Sequence, residues 1–223
     1  MEKIGDILKN LEAGSITLPP ETITYRYPPR ELTREEKREE LRKTLGLSSL
    51  ENTFESFLPE KGTEKALKAC RSLASGKATW HMLLLYGGVG NGKTHLLEAL
   101  VMEFYKRGIA CRILNYGNMM RSLRQSMHSD SPPTFEGLLE SWCRTKGLVI
   151  DDVGIGGSDT EWSMKMLEEI VLARYHGSLL TVLSTNMDIK ELPERVVSRF
   201  GDTQKARTVL NEGEDYRPKK AIK

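Results

Sequence analysis

The stretch Gly87-Gly88-Val89-Gly90-Asn91-Gly92-Lys93-Thr94 sets four glycines, a lysine and a hydroxyl at the spacing G-x-x-x-x-G-K-[ST]. Those residue types at that spacing suit a polyphosphate. Glycines let the backbone curl until several N–H groups converge on phosphate oxygens. Lys93 supplies a compact positive charge for β- and γ-phosphates, and the Thr94 hydroxyl is of the kind that ligates Mg²⁺. His95 follows at once and is grouped with the loop as a nucleotide contact.

Three further clusters fit the same chemistry. Gly147-Leu148-Val149-Ile150 runs into Asp151-Asp152, an apolar strand tipped with acids. A carboxylate there faces a metal held by Thr94, so Asp151 is assigned to Mg²⁺ and Asp152 to orienting or deprotonating an attacking water. Ser184-Thr185-Asn186 ends another apolar run, and Asn186 is placed to sense the γ-phosphate. Arg195 and Arg199, at i and i+4, share a helix face with no obvious acidic neighbour but Glu194. In ATPases that assemble into rings, such an arginine neutralises transition-state charge in the adjacent subunit.

These residues need a sheet to hold them. Met82–Tyr86 reads as a buried parallel strand and His95–Tyr105 as a helix, which is the context a phosphate loop requires. Further strands are expected at 110–116, 148–150, 179–184 and 206–210, and helices at 64–73, 119–127, 135–143, 161–176 and 189–199. Alternating strands and helices predict an α/β fold, a parallel sheet flanked by helices. Upstream, Ile4, Ile7, Leu8 and Leu11 mark a short amphipathic helix that packs on its own domain or in a partner's groove. Thr33-Arg34-Glu35-Glu36 is a capping box opening a charged helix to about Leu45. The expected division is an N-terminal partner-docking extension, 1–50, and an ATPase domain, 51–223.

Composition narrows the function. With 223 residues, 39% hydrophobic and 29% charged, the chain suits one globular domain with an appendage. A net charge of +2 leaves no global basic field, so any nucleic-acid contact must be a local patch. No apolar run reaches membrane-span length and the charged start is not a signal peptide, so the expected compartment is cytoplasmic. Cys70, Cys111 and Cys143 form neither a disulfide framework nor a zinc spacing, and are expected as free core thiols.

From Asn52 onward the chain resembles an AAA+ ATPase of the helicase-loader group, the DnaC/DnaI and IstB-like family. The resemblance rests on Thr53-Phe54-x-x-Phe57, Gly90 to Leu97, and Val149 to Gly154. It also rests on Ser184 to Met187, Arg195 to Phe200, and Gly213-Glu214-Asp215-Tyr216-Arg217. It implies an AAA+ core without a separate lid domain, ATP and Mg²⁺ as ligands, Asn186 as first sensor, Arg199 as arginine finger with Arg195 beside it, and Arg217 as second sensor. It further implies a homo-oligomer on ATP and DNA, and a replicative helicase bound through the N-terminal segment. Single-stranded DNA would be held by helices between the second and third strands, here Arg121 and Arg124. With no cysteines in the first 50 residues, a zinc-binding docking module is not expected. An IstB-like ATPase acting with a transposase shares every one of these core features. A small-molecule kinase would also use the loop, but no lid segment is legible for it.

Overall fold

Met82-Leu83-Leu84-Leu85-Tyr86 contains only one strong strand former, yet it is β1, the strand feeding the glycine loop. Burial decides this. Strand propensities span about 1 kcal/mol, whereas each fully buried leucine contributes about 2 kcal/mol. The computed structural model describes residues 32–127, 131–154 and 161–216. In it Met82 and Leu84 enter one apolar cluster, and Leu83 and Leu85 another on the opposite face. β1 is therefore a central strand covered on both sides.

The other strands are β2 (Cys111–Asn115), β3 (Gly147–Val153), β4 (Leu180–Thr185) and β5 (Ala206–Leu210). They form one sheet in the order β2-β3-β4-β1-β5, with every pairing parallel. The helices are α1 (Arg34–Leu45), α2 (Glu64–Ala74), α3 (Lys93–Lys106), α4 (Tyr116–Ser126), α5 (Phe135–Arg144), α6 (Glu161–His176) and α7 (Glu194–Gly201). On one face α2 and α3 pack over Leu83, Leu85, Val149 and Val182; on the other, α4 to α7 pack over Leu84, Ile150 and Leu183. The expected parallel α/β sheet flanked by helices is the architecture found.

Three elements differ from the sequence expectation, each for a local reason. The helix expected over 189–199 is a 3₁₀ turn, Ile189–Glu191, followed by α7. Pro193 holds Leu192 extended (φ −74°, ψ 152°) and lacks the N–H a continuous helix needs. Tyr116, expected to end a strand, instead opens α4, because the Asn115 side chain accepts from the Asn118 N–H at 3.2 Å and caps the helix. β3 runs on through Val153, with a register shift against β4 between Ile150 and Val153 and Asp152 at φ 58°. That irregularity lies at the two acids.

The chain divides into two compact units, Met1–Glu36 and Lys37–Lys223. In the described part of the first, the capping box forms as expected: Thr33 N–H donates to Glu36 Oε2 at 2.8 Å and Glu36 N–H to Thr33 Oγ1 at 3.2 Å. The amphipathic helix expected over 3–12 lies outside the described residues. Lys37–Leu50, grouped with the extension by sequence, belongs to the second unit, where Leu45 and Leu47 are buried with Phe54 and Leu97. Cys70 and Cys111 are buried free thiols whose pKa burial pushes up to about 12, and Cys143 is free and partly buried.

Two buried charges hold loops to this frame. Arg174, fully buried on α6, donates to the carbonyls of Trp142 (2.7 Å), Thr145 (2.8 Å) and Leu180 (2.5 Å) and to Thr181 Oγ1 (2.9 Å). Burial lowers its pKa to about 10, so it remains charged at neutral pH. Glu98, buried on α3, accepts from Ser48 N–H and Asn52 Nδ2, both at 2.6 Å, and ties the entry segment to the nucleotide-loop helix. Glu98→Ala strands both donors and is expected to cost about 3 kcal/mol of unfolding free energy, with Glu98→Gln costing less. Urea unfolding of the two variants checks this ordering.

Candidate nucleotide-binding site

The glycine loop bends where an L side chain could not. Gly92 sits at φ +88°, and a Cβ there would come within 2.7 Å of the Phe57 ring. Gly90 lies at φ +70°, with the Asp215 carboxylate where its side chain would be. The loop is also pinned to the edge strand beside β1. Asn91 Nδ2 donates to the Asn211 carbonyl at 2.7 Å and Asn211 Nδ2 to the Asn91 carbonyl at 2.9 Å. This reciprocal pair joins residues 120 positions apart and fixes the loop against the end of β5.

Lys93 is buried, and its ammonium donates to the carbonyls of Gly87 (2.9 Å) and Gly88 (2.6 Å) and to Asn91 Oδ1 (3.0 Å). The charge is thereby held at the mouth of the loop. A narrow cleft of about 150 Å³ brings together Gly90, Asn91, Gly92, Lys93, Thr94, Asp152 and Asn186. Thr94 and the two strand-end residues, expected from separate motifs, thus face one space.

Asp151 is buried beside them. Thr94 Oγ1 donates to its Oδ2 at 2.8 Å, and the Ser184 hydroxyl donates to Oδ1. The Asp152 N–H in turn donates to Ser184 Oγ at 3.0 Å. Burial raises the Asp151 pKa, opposed by the two hydroxyl donors. A hydroxyl and a carboxylate at this distance are hard oxygen donors, and they fit a small divalent cation that completes its shell with phosphate oxygens and water. Among the described residues no group of three or more His, Cys, Asp or Glu forms an all-protein metal cage. Ser184 was not singled out by sequence reasoning. Its signal was its place in the polar end of β4, one position past the Ile150–Leu183 pairing.

His95, expected as a nucleotide contact, lines the space beside the loop rather than the phosphate cleft. Its ring does not turn into the phosphate cleft: Nε2 lies 2.8 Å from the Thr53 carbonyl and 3.3 Å from Ser56 Oγ, and the ring meets Phe57 edge-on at 5.2 Å. A carbonyl only accepts, so Nε2 carries the proton. His95 lines a larger adjoining cavity of about 460 Å³, whose walls include Asn52, Phe57, Leu58 and Tyr216. This cavity shares Gly90, Asn91 and Gly92 with the phosphate cleft. Phe57, one of the two entry aromatics, therefore builds a wall of the site.

The arginines lie elsewhere. Arg195 and Arg199 do not line either cavity. Arg195 pairs with Glu168 of α6 at 3.3 Å, a partner that the sequence reading, which saw only Glu194, did not supply. Arg199 stacks over the Tyr175 ring at 4.7 Å. On α4, Arg121 is exposed and donates to Asn118 Oδ1 at 3.3 Å, while Arg124 lies over the Trp162 ring at 5.1 Å. Arg217 lies outside the described residues.

The electrostatics of Asp151 generate a pH prediction for the nucleotide-free protein. Its folded pKa is raised, so its contribution to stability is fully present below the unfolded carboxylate pKa and lost as pH rises through the folded value. Asp151→Asn is therefore expected to stabilise the empty protein at neutral pH, by an increment that shrinks as pH falls toward the ordinary carboxylate range. Thermal unfolding of both proteins across that range measures the difference.

Comparison with known proteins places this geometry. Residues 49–204 match the family model described as the bacterial DnaA ATPase domain. The chain is 32% identical over 153 residues to the chromosomal replication initiator protein DnaA of Cereibacter sphaeroides, an alignment covering 66% of this chain and 33% of that protein. It spans about a third of the length of the curated relatives it matches. AMPPCP-bound DnaA from Aquifex aeolicus shares the fold, with a TM-score of 0.63 at 22% identity over 74% of this chain and 51% of that one. So does the DnaC helicase loader, with a TM-score of 0.62 at 21% identity over 73% of this chain and 98% of that one. These likenesses show a shared fold, a parallel sheet flanked by helices. The family match runs from just before the entry aromatics to the turn ahead of β5, well over half of the chain, and the chain belongs to the bacterial DnaA ATPase-domain family.

Proposed function

We propose that this chain is an ATP-hydrolysing switch in DNA replication that delivers a replicative helicase to DNA. One observation carries the nucleotide chemistry: Lys93, Thr94, Asp152 and Asn186 line a single cleft beside a carboxylate, Asp151, already held by Thr94. The β- and γ-phosphates lie in the loop from Gly87 to Thr94, where Lys93 exchanges its contacts with loop carbonyls for phosphate oxygens. Base and ribose occupy the larger cavity beside Phe57 and Tyr216. Mg²⁺, held by Thr94 and Asp151, would neutralise phosphate charge. Asp152 accepts a proton from, or orients, the attacking water, and Asn186 fixes it relative to the γ-phosphate. Arg199 and Arg195, outside this chain's own cleft, serve the nucleotide of a neighbouring copy, so hydrolysis depends on a homo-oligomer. Arg217, which ends the Gly213-Glu214-Asp215-Tyr216-Arg217 motif, acts as second sensor.

The replication reading draws on membership of the DnaA ATPase-domain family and on the fold shared with AMPPCP-bound DnaA and the DnaC loader. The loader role draws on the resemblance to the helicase-loader group from Asn52 onward, whose core motifs an IstB-like ATPase shares, so the partner decides between the two. Single-stranded DNA is held at α4, where Arg121 offers an exposed charge and Arg124 a guanidinium stacked on Trp162. A second reading, an initiator-like ATPase that acts on an origin rather than a helicase, is favoured by the family match itself.

Lys93→Ala is expected to abolish ATP binding while leaving the fold intact, with affinity read by isothermal titration and folding by circular dichroism. Wild-type affinity in the folded variant would overturn the phosphate-loop assignment. Affinity co-purification with ATP, with and without residues 1–30, separates the roles. A hexameric helicase lost on truncation supports the loader. Origin DNA without a helicase supports the initiator-like reading, and recovery of a transposase would replace both.

A further inference from the structure

Arg199 has an unusual set of neighbours. Tyr175, near the end of α6, carries the Arg199 guanidinium over its ring at 4.7 Å and the Lys205 ammonium at 4.4 Å. The Tyr175 hydroxyl donates to Asp202 Oδ2 at 2.7 Å, and the other oxygen of that carboxylate accepts from the Gln204 N–H at 3.0 Å. Asp202 is thereby committed to two neutral donors rather than to an arginine. Among the described residues the Arg199 Nε is buried with no hydrogen-bond partner. Its neighbour one turn earlier, Arg195, takes the ordinary course and pairs with Glu168 at 3.3 Å.

The physical consequence is specific. A carboxylate partner would hold an arginine but also neutralise it, and an incoming phosphate would have to displace it. An aromatic face attracts the cation through its quadrupole, limits the side chain to one region and leaves the charge unspent. A second cation on the same ring, with one carboxylate nearby, leaves the cluster with positive charge in excess. Such a cluster suits an anion arriving from outside the chain.

We propose that Tyr175 is the positioning residue for Arg199, holding its partly exposed guanidinium against the end of α6 for the γ-phosphate of a neighbouring copy. The inference rests on the reading of Arg199 as a finger acting between subunits. Tyr175 touches no nucleotide in this arrangement. It acts through Arg199, by keeping an unneutralised charge in place before assembly.

The test is ATP turnover of the assembled protein with single-stranded DNA for Tyr175→Phe, Tyr175→Leu and Arg199→Ala, with ATP affinity and unfolding midpoint measured alongside. Phenylalanine keeps the ring but frees Asp202 Oδ2 beside the two cations, so it should retain more turnover than leucine without matching wild type. Leucine keeps apolar bulk without the ring and should lower turnover about tenfold, a part of the loss expected for Arg199→Ala, with ATP affinity within about twofold of wild type. Mixing Tyr175→Leu with Lys93→Ala subunits adds a readout that general destabilisation would not move. Lys93→Ala subunits bind no ATP but carry an intact Tyr175–Arg199 pair, so they should restore turnover at the Tyr175→Leu sites. Wild-type turnover in Tyr175→Leu alongside a lost Arg199→Ala activity, or no recovery on mixing, would overturn the positioning role. Wild-type turnover in Arg199→Ala would instead overturn the finger reading on which it rests.

Discussion

A carboxylate buried at the tip of a central strand is tolerable only if something donates to it, and the whole site is arranged around meeting that condition for Asp151. Thr94 donates from the first turn of α3 and Ser184 from the end of β4, so three elements converge on one acid. Ser184 then accepts from the Asp152 N–H, which fixes the backbone where β3 shifts register. The bulge turns the two adjacent acids to different duties. Asp151 is buried against its donors, and Asp152 lines the open cleft with Asn186.

The same logic extends outward through α3. Its first turn carries Lys93 and Thr94, its next residue His95 holds the Thr53 carbonyl, and its middle carries Glu98, which holds Ser48 and Asn52. Phe57 lies against Gly92 at the loop itself. A helix that begins at the glycine loop is thus fastened through its first two turns to the segment that leads into the domain. Any displacement of the loop on nucleotide binding would be felt there first, because packed interiors transmit small shifts rather than absorb them. On the opposite side, the Asn91–Asn211 pair and the Tyr216 N–H to the Gly90 carbonyl, at 3.1 Å, tie the loop to the strand end that precedes Arg217.

The arginines of α7 show how neighbours set what a charge can do. Arg195 and Arg199 are one turn apart on the same helix, yet one is paired with a carboxylate and the other with a ring. An exposed ion pair of this kind contributes about 0–1 kcal/mol, so its value is not chiefly in stability. The difference lies in how much charge remains for a ligand.

What the sequence determined by itself was whatever local pattern controls. The strand feeding the loop, Met82–Tyr86, and the last strand, Ala206–Leu210, fall where the apolar runs placed them, and the capping box closes at Thr33 and Glu36 because its partners are three residues apart. The phosphate loop and the acids after it were legible because residue type and spacing carry their chemistry. Tertiary structure decided everything that depends on which distant residues meet. Ser184 reaches Asp151 across 33 positions, Asn211 reaches Asn91 across 120, and Glu168 reaches Arg195 across 27. His95 was read with the loop because it follows the loop in the chain; a helix rotates successive side chains by about 100°, and that turn sets it against the entry segment, in the wall of the cavity beside the loop. Strand order and register bring such partners together, and neither is written in any single stretch of chain.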